Sequence, residues 1–266
     1  MQTEPSAGLV AVADRGRPVQ LCRRYWDLYD AFAPLRQEAR EYDPTSSESA
    51  AYETFAFIHH VLLERLNDAA AQVTAAHTAE GSALVQALHA CYYSLGVARH
   101  YLARQIALAY SLWDWEGDRP RGHYGTLWQR GAKWHLHDKL RALADGGDAV
   151  ADRLWEAVAP TREVDGWYQE LNDIRSDMAH NATALLGRLE PDGPLHLVNV
   201  HLPVWHRLRY GRPADEGGLA LQPEDTYPLP AVEQAEDLLR KVCALADAVW
   251  GVLADGIREG GRLPLR

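Results

Sequence analysis

The sequence predicts an all-α protein, a helical bundle that carries a small β insertion. Apolar residues recur at helical spacing over most of the 266 residues, and 47% of all residues are hydrophobic. The longest such pattern, residues 82–115, contains no proline. Residues 195–201, in contrast, alternate between apolar and polar side chains in the way that is typical of a strand. We therefore expect a helical core with one short hairpin.

The first 80 residues predict an arm followed by two helices. Residues 1–18 contain proline, glycine and alternating charges, which favours a loose arm. Apolar residues at helical spacing predict a helix over about 21–41. Residues 43–46 (Asp-Pro-Thr-Ser) interrupt this pattern and can cap the next helix, over about 47–77.

The middle of the chain predicts three more helices. The pattern over 82–115 includes one glycine that is not near an end, Gly96, and it stops before Gly117 and Pro120. Two further helices are expected over 124–145 and 148–159, because Gly146 and Gly147 separate two apolar patterns.

The last part of the chain predicts two long helices around the β insertion. A helix is expected from about 161 to 189, before the Glu-Pro-Asp-Gly-Pro stop. The strand at 195–201 would pair with residues 204–210, and 211–230 would form a loop rich in proline and glycine. A final amphipathic helix is expected over 231–257.

Composition limits the class of function. The formal net charge of -10 argues against a general nucleic-acid coat protein, whose surface is usually basic, but it allows a small basic pocket. The three cysteines are far apart in sequence, as a reducing compartment tolerates. The polar start lacks the order of a secretory signal, and no stretch is apolar enough to span a membrane. We therefore expect a cytoplasmic protein without a membrane partner.

Several catalytic signatures are absent from the sequence. It contains no phosphate-binding loop, no nucleophile elbow and no zinc-binding helix motif. Pairs such as His59-His60 and His135-x-His137 would diverge on a helix, which makes them poor chelating pairs. We expect these imidazoles to lie on the surface or to be partly buried, and we predict neither a metal site nor a cofactor.

One segment resembles a known family. Residues 170–181, Glu-Leu-Asn-Asp-Ile-Arg-Ser-Asp-Met-Ala-His-Asn, are similar to the R-x4-6-H motif of HEPN domains. The matching positions are Arg175, Ser176 and His180. The residue after the arginine is commonly asparagine in that family, whereas this chain has serine. The resemblance covers about residues 80–190 and implies a HEPN-like bundle over 81–266, with a hairpin and loop insertion at about 191–230. Residues 1–80 would pack on this bundle.

The chemistry of RNA cleavage explains why these residue types belong together. The substrate's own 2′-hydroxyl attacks the neighbouring phosphorus, so the site must move a proton and stabilise negative charge on phosphoryl oxygens. The forked guanidinium of Arg175 matches phosphate oxygens. The imidazole of His180 exchanges a proton near neutral pH. Ser176, one turn before His180, can orient the substrate or the histidine through a hydrogen bond.

The resemblance implies a metal-independent RNA endonuclease with a composite Arg/His site at a dimer interface. The expected partners are an RNA substrate, a second identical or related chain, and a neutralising or activating protein in host defence or a toxin–antitoxin system. The alternative is a catalytically inactive HEPN-like module that binds protein or nucleotide within a larger assembly. The acidic net charge and Ser176 favour that alternative.

A second arginine–histidine pair has the same spacing. Arg130 precedes His135 by five residues, but a glycine and a tryptophan lie between them, so we prefer the pair in the uninterrupted helix. This region interleaves basic and aromatic residues, which can hold single-stranded RNA. The alternative is a helix with its tryptophans in the core and its basic groups in water. The cluster consists of Trp128, Arg130, Lys133, Trp134, His135 and His137.

Overall fold

The predicted all-α class with a small β insertion is confirmed. The computed structural model describes residues 11–14, 17–110, 115–116, 119–120, 136–163, 166–181, 186–199, 221 and 223–260. These residues are mostly helical, with a small antiparallel sheet of three strands and two short hairpins. None of the helices in these ranges is both long and apolar enough to cross a membrane.

Seven α-helices lie within the described ranges. They are α1 (Tyr25–Tyr42), α2 (Ser47–Ala76), α3 (Gly81–Ala109), α4 (Leu136–Asp145), α5 (Ala149–Ala157), α6 (Trp167–Asn181) and α7 (Ala231–Gly260). Helices α2 and α3 pack along each other, and α7 packs against α1, α2, α3 and α5. Helix α6 packs against α3, and this contact positions the candidate site.

Local signals explain where several helices begin. The hydroxyl of Ser46 accepts a hydrogen bond from the backbone N–H of Ser49 at 3.0 Å and caps α2, as predicted. Asp148 caps α5 in the same way through two backbone N–H groups. Gly147, between α4 and α5, has φ of 93°, a backbone conformation that glycine adopts without strain. The predicted break at 146–147 is therefore confirmed.

A chain of hydrogen bonds in the core joins four helices through His59. Its Nε2 lies 3.0 Å from the backbone carbonyl of Tyr25, and its Nδ1 lies 3.0 Å from Nε2 of Gln105. The indole N–H of Trp250 donates to Oε1 of Gln105 at 2.8 Å. Because a carbonyl only accepts, Nε2 of His59 must carry the proton and Nδ1 must accept from the amide. The imidazole nitrogens of His59, the amide of Gln105 and the indole N–H of Trp250 are then all hydrogen-bonded.

The complete burial of His59 corrects the expectation of a surface or partly buried imidazole. Its exposed fraction is 0%, and its ring stacks on Tyr25 with centroids 4.1 Å apart. Burial lowers the pKa of His59 to about 3, so the ring stays neutral in the folded protein. The neighbouring His60, in contrast, is exposed and lies 3.2 Å from Glu64.

The expectation of a loose arm over 1–18 is wrong for the part that the structure describes. Strands β1 (Ala11–Asp14) and β2 (Arg17–Gln20) pair antiparallel, with Ala11 opposite Gln20 and Asp14 opposite Arg17. Two residues, Arg15 and Gly16, separate the strands in sequence, which is the spacing of a tight hairpin. Strand β1 also packs against α2, so tertiary contact supports this hairpin.

Two predicted helix ends are also wrong. Helix α3 ends at Ala109 rather than near 115, and Trp115–Glu116 forms strand β3 with β4 (Arg119–Pro120). Helix α6 begins at Trp167 rather than near 161, because Ala159–Arg162 forms a 3-10 turn. Apolar spacing is similar in a helix end and in such short segments, so the pattern by itself did not separate them.

The β insertion is a three-stranded sheet with the order β5–β6–β7. Its strands are β5 (Leu186–Arg188), β6 (Leu195–Val198) and β7 (Thr226–Pro230). Strand β6 lies within the predicted strand, but 186–188 was predicted as helix and 226–230 as loop, and both predictions are wrong. Leu186 pairs with Leu197 across the sheet, a contact that a local pattern does not reveal. The predicted partner 204–210 lies outside the described residues.

We predict that Gln105→Leu destabilises the fold by about 2–4 kcal/mol, because it leaves two buried groups, on His59 and Trp250, without their partners. Urea unfolding followed by circular dichroism measures this change. Gln37→Leu, an exposed glutamine on α1, is the matched control and should change the unfolding free energy by less than about 0.5 kcal/mol. Equal effects of the two substitutions would contradict the role given to the buried chain.

Candidate functional site

The residues of the HEPN-like motif all lie on α6. Helix α6 runs without interruption past Arg175, Ser176 and His180 to Asn181. Residues five positions apart on a straight helix are rotated by about 140° from each other. Arg175 and His180 of one chain therefore leave the helix in different directions. The side chain of His180 lies outside the described residues, so a meeting of the two groups stays a prediction.

The packing of α6 determines which of its residues face α3. The apolar face of α6 is buried and consists of Leu171, Ile174 and Met178. Tyr168, Asn172 and Arg175 share a direction about 90° round the helix from this face. That direction faces α3: Nη2 of Arg99 donates to Oδ1 of Asn172 at 3.0 Å, and its guanidinium lies 5.2 Å from the ring centroid of Tyr168.

The side chain of Arg175 lies across Gly96, the glycine inside α3. A Cβ atom placed on Gly96 would be 2.5 Å from Cδ of Arg175 and 2.9 Å from its Nε. Real Cβ atoms do not approach other atoms this closely, so any side chain at position 96 would require Arg175 to move from this place. Glycine inside a helix costs about 1 kcal/mol relative to alanine. The sequence thus keeps an unfavourable helix residue at the point where Arg175 crosses α3.

Arg99 is a buried cation. Its exposed fraction is 4%, and its Nη1 has no hydrogen-bond acceptor among the residues that the structure describes. Burial lowers the pKa of Arg99 and the nearby charge of Arg175 adds to this shift, whereas electrostatic interactions with Tyr168 and Asp173 oppose it. Within the described ranges, neither arginine forms an ion pair with a carboxylate. The two guanidinium charges are therefore close enough to act on each other, and no carboxylate in this part of the chain forms an ion pair with either of them.

His100 lies beside these arginines. Burial first, and then the charges of Arg99, Arg175 and Arg104, lower the pKa of His100 to about 4. Its imidazole is therefore neutral near pH 7, with one nitrogen free to accept a proton. We call Arg99, His100 and Arg175 the cationic cluster. Gly96, Arg99 and His100 are three and four positions apart, so α3 presents them on one face.

Ser176 lies on a different side of α6. It points about 170° away from the apolar face and is partly exposed. Arg175 and Ser176 are therefore not directed at the same neighbours in this chain. The orienting role predicted for Ser176 needs a substrate or a second chain on the outer side of α6.

The other flank of α6 is acidic. A second set of residues, the acidic cluster, consists of Glu170, Asp173 and Asp177 on α6 with Tyr92 on α3 and Tyr227 on β7. The hydroxyl of the fully buried Tyr92 and Oε1 of Glu170 have no hydrogen-bond partner among the described residues. Nε2 of Gln169 donates to both carboxylate oxygens of Asp173, at 3.0 and 3.1 Å. No group of three or more potential ligands for a metal ion was found in the described ranges.

Electrostatics at the acidic cluster favour a protonated carboxyl group. Burial raises the pKa of Glu170; Lys241 opposes the shift, and the carboxylates of Asp237 and Asp173 add to it. Burial also raises the pKa of Tyr227, and the charges of Asp177, Asp173 and Glu170 contribute to the same shift. The two flanks of α6 therefore hold opposite charges on either side of its apolar face.

The basic and aromatic cluster near residue 130 is only partly described. His137 is buried, lies 3.0 Å from Oγ1 of Thr161 and packs edge-on against Trp155. Its imidazole therefore belongs to the core and is not available to RNA. The other members of this cluster, including the alternative pair Arg130 and His135, lie outside the described residues.

Sequence reasoning missed Arg99 and His100. The sequence around them has the apolar spacing of an ordinary helix, and the adjacent arginine and histidine did not stand out from it. The signal that could have found them is Gly96 inside a long helix, followed by two basic residues on its own face.

Comparison with known proteins gave no match. No protein-family model matches the chain, no curated protein matches it, and no solved structure matches it. A functional proposal therefore depends on the side chains described above, and the HEPN resemblance stays a prediction.

We predict that Gly96 and Arg175 are energetically coupled. Gly96→Ala should stabilise an Arg175→Ala background by about 1 kcal/mol, because it improves helix propensity. With Arg175 present, the same substitution should give no gain or a loss, because the new methyl group displaces the arginine. A double-mutant cycle in urea measures the difference. Additive effects would contradict the close approach.

We predict that Glu170→Gln stabilises the protein at neutral pH. The pKa of Glu170 is raised in the fold, so its charged form is disfavoured there, and an uncharged amide of the same shape avoids this. The gain should shrink as the pH falls through the raised pKa, because the natural carboxyl group then becomes protonated. Thermal unfolding at several pH values measures this trend. Glu38→Gln, an exposed residue on α1, should show no comparable dependence.

Proposed function

We propose that this chain is a metal-independent RNA endonuclease that acts through Arg175, Ser176 and His180. Arg175 holds the phosphate, His180 transfers a proton, and Ser176 orients the substrate or the histidine. The observation that carries the proposal is the position of Arg175. Its side chain lies across Gly96 beside a buried arginine, and no carboxylate pairs with it among the described residues.

An anion fits such an arrangement. The buried guanidinium of Arg99 and the nearby charge of Arg175 repel each other, and a phosphate group between them would turn this repulsion into attraction. A phosphodiester oxygen also gains negative charge as the 2′-hydroxyl attacks. Guanidinium groups fixed in advance can stabilise that charge without rearranging in the transition state.

The reaction transfers two protons and exchanges one bond at phosphorus. A base takes the proton of the 2′-hydroxyl as its oxygen bonds to phosphorus, and the bond to the 5′-oxygen breaks. That oxygen leaves with a proton from an acid. The products are a 2′,3′-cyclic phosphate and a 5′-hydroxyl. A histidine suits either transfer, because its ordinary pKa is close to neutral.

A two-chain site would bring the motif together. Arg175 and His180 diverge by about 140° on one helix, so His180 of a second chain is a better partner for Arg175 than His180 of its own. We propose a homodimer, or a heterodimer with a related chain, in the cytoplasm. A role in host defence or in a toxin–antitoxin system, with a neutralising or activating protein, is part of this proposal.

The test is cleavage of unstructured RNA by the purified protein in excess EDTA. We expect cyclic phosphate ends, no cleavage of the matching DNA, and a loss of at least about 100-fold in rate for Arg175→Ala and for His180→Ala. Ser176→Ala should reduce the rate less. Arg40→Ala, an exposed arginine on α1, is the matched control and should cleave normally.

Mixing the two inactive variants tests the composite site. If a site draws Arg175 from one chain and His180 from the other, a mixed dimer retains one complete site, and activity returns on mixing. Cleavage that EDTA abolishes would contradict the metal-independent mechanism. RNA that binds at the motif without being cut would instead favour the inactive binding module.

A further inference from the structure

We propose that Arg99, His100 and Arg175 together bind one phosphoryl group within a single chain. This inference deepens the proposed function. It rests on that function only where it names RNA as the source of the phosphate. It assigns two residues of α3 to the binding of the anion, in addition to the motif on α6. A second chain is not needed for this step.

The burial of Arg99 is the first argument. A buried guanidinium is usually paired with a carboxylate, because moving the charge out of water is costly. Arg99 instead has one neutral acceptor, Asn172 at 3.0 Å, and the face of Tyr168. Its Nη1 is buried, and no described residue offers it an acceptor. The guanidinium group is held at Nη2 by Asn172, and its unpaired Nη1 can donate to one oxygen of a bound anion.

The second argument is the common direction of the three groups. Gly96, Arg99 and His100 share one face of α3, and the side chain of Arg175 lies on that same face because Gly96 leaves room for it. Two forked guanidinium groups and an imidazole suit the several oxygens of a phosphoryl group better than the two of a carboxylate.

The charges around His100 explain how the site would respond to an anion. Arg99 and Arg104 on α3 and Arg175 on α6 act on His100 and oppose its protonation. On α6, the charge of Asp173 also acts on Arg99, but its carboxylate is held by Gln169. A bound anion would offset the arginine charges. His100 would then take up a proton from solvent and become a third cationic partner.

Sulfate is the probe for the test, because it resembles phosphate but does not change its own protonation near pH 5.5. Isothermal titration should show sulfate binding that weakens about 10- to 100-fold in Arg99→Gln and in Arg175→Gln. Gly96→Ala should weaken it as well, by displacing Arg175. Arg40→Gln should bind sulfate like the natural protein.

Proton uptake tests His100 separately. Titrations at about pH 5.5 in two buffers of different ionisation enthalpy should show a net uptake of protons on sulfate binding. His100→Asn should abolish this uptake while it reduces the affinity less than about 5-fold. If Arg99→Gln does not fold, the responses of Arg175→Gln, Gly96→Ala and His100→Asn decide the question.

Competition identifies the source of the phosphoryl group. A short RNA blocked by 2′-O-methyl groups should displace sulfate better than a nucleoside monophosphate does. The reverse order would assign the site to free phosphate monoesters and would overturn the RNA assignment. Sulfate binding that is absent, or unchanged in Arg175→Gln and Gly96→Ala, would overturn the site itself.

The outcomes separate this inference from the nuclease proposal. If these variants lose sulfate but the natural protein cuts no RNA, the anion site stands and the nuclease proposal falls. If RNA is cut while sulfate binding is absent or unaffected by the variants, the nuclease proposal stands and the anion site falls.

Discussion

The buried imidazole of His59 is the constraint on which the arrangement of the helices depends. It links α1 to α3 through a backbone carbonyl and an amide, and the amide links onward to Trp250 on α7. Only one tautomer of the ring satisfies all of these contacts, and each of the polar atoms that make them then has a partner. Gln105 fixes the position of α3 against α2 and α7, and Arg99 and His100 lie about one and a half turns earlier on the same helix. These hydrogen bonds in the core thus determine where along α6 the α3 residues Arg99 and His100 lie.

Helix α6 separates two electrostatic environments. Its apolar face enters the core, one flank carries Arg175 and faces the guanidinium group of Arg99 on α3, and the other carries the carboxyl groups around Tyr92 and Tyr227. Both flanks are poorly solvated, so charges there act on each other more strongly than they would in water. This explains how a protein with a net charge of -10 can still offer a local site for an anion. The total charge describes the whole surface, whereas binding depends on the few groups within reach of the ligand.

The fold was predictable where the determining signal is local. Apolar spacing located α2 and α7 to within a few residues, and the capping residue Ser46 marked the start of α2. Prediction was wrong for short segments whose structure depends on pairing with another strand. The first hairpin, the end of α3, and strands β5 and β7 all lie in segments whose own pattern does not distinguish a helix end, a loop and a strand. Leu186, for example, continues the apolar spacing of α6, yet it pairs with Leu197 in the sheet.

By itself, the sequence determined the helical class, the positions of the long helices and a basic motif that belongs on α6. It could do so because helical periodicity, caps and glycine breaks act between residues a few positions apart. Only the tertiary structure decided which side chains are neighbours at the candidate site. Gly96 and Arg175 are far apart in the sequence, but their structural roles depend on each other. The glycine leaves a space, and the side chain of the arginine occupies it near Arg99. Such a contact exists only after α3 and α6 have packed together, so no local pattern encodes it.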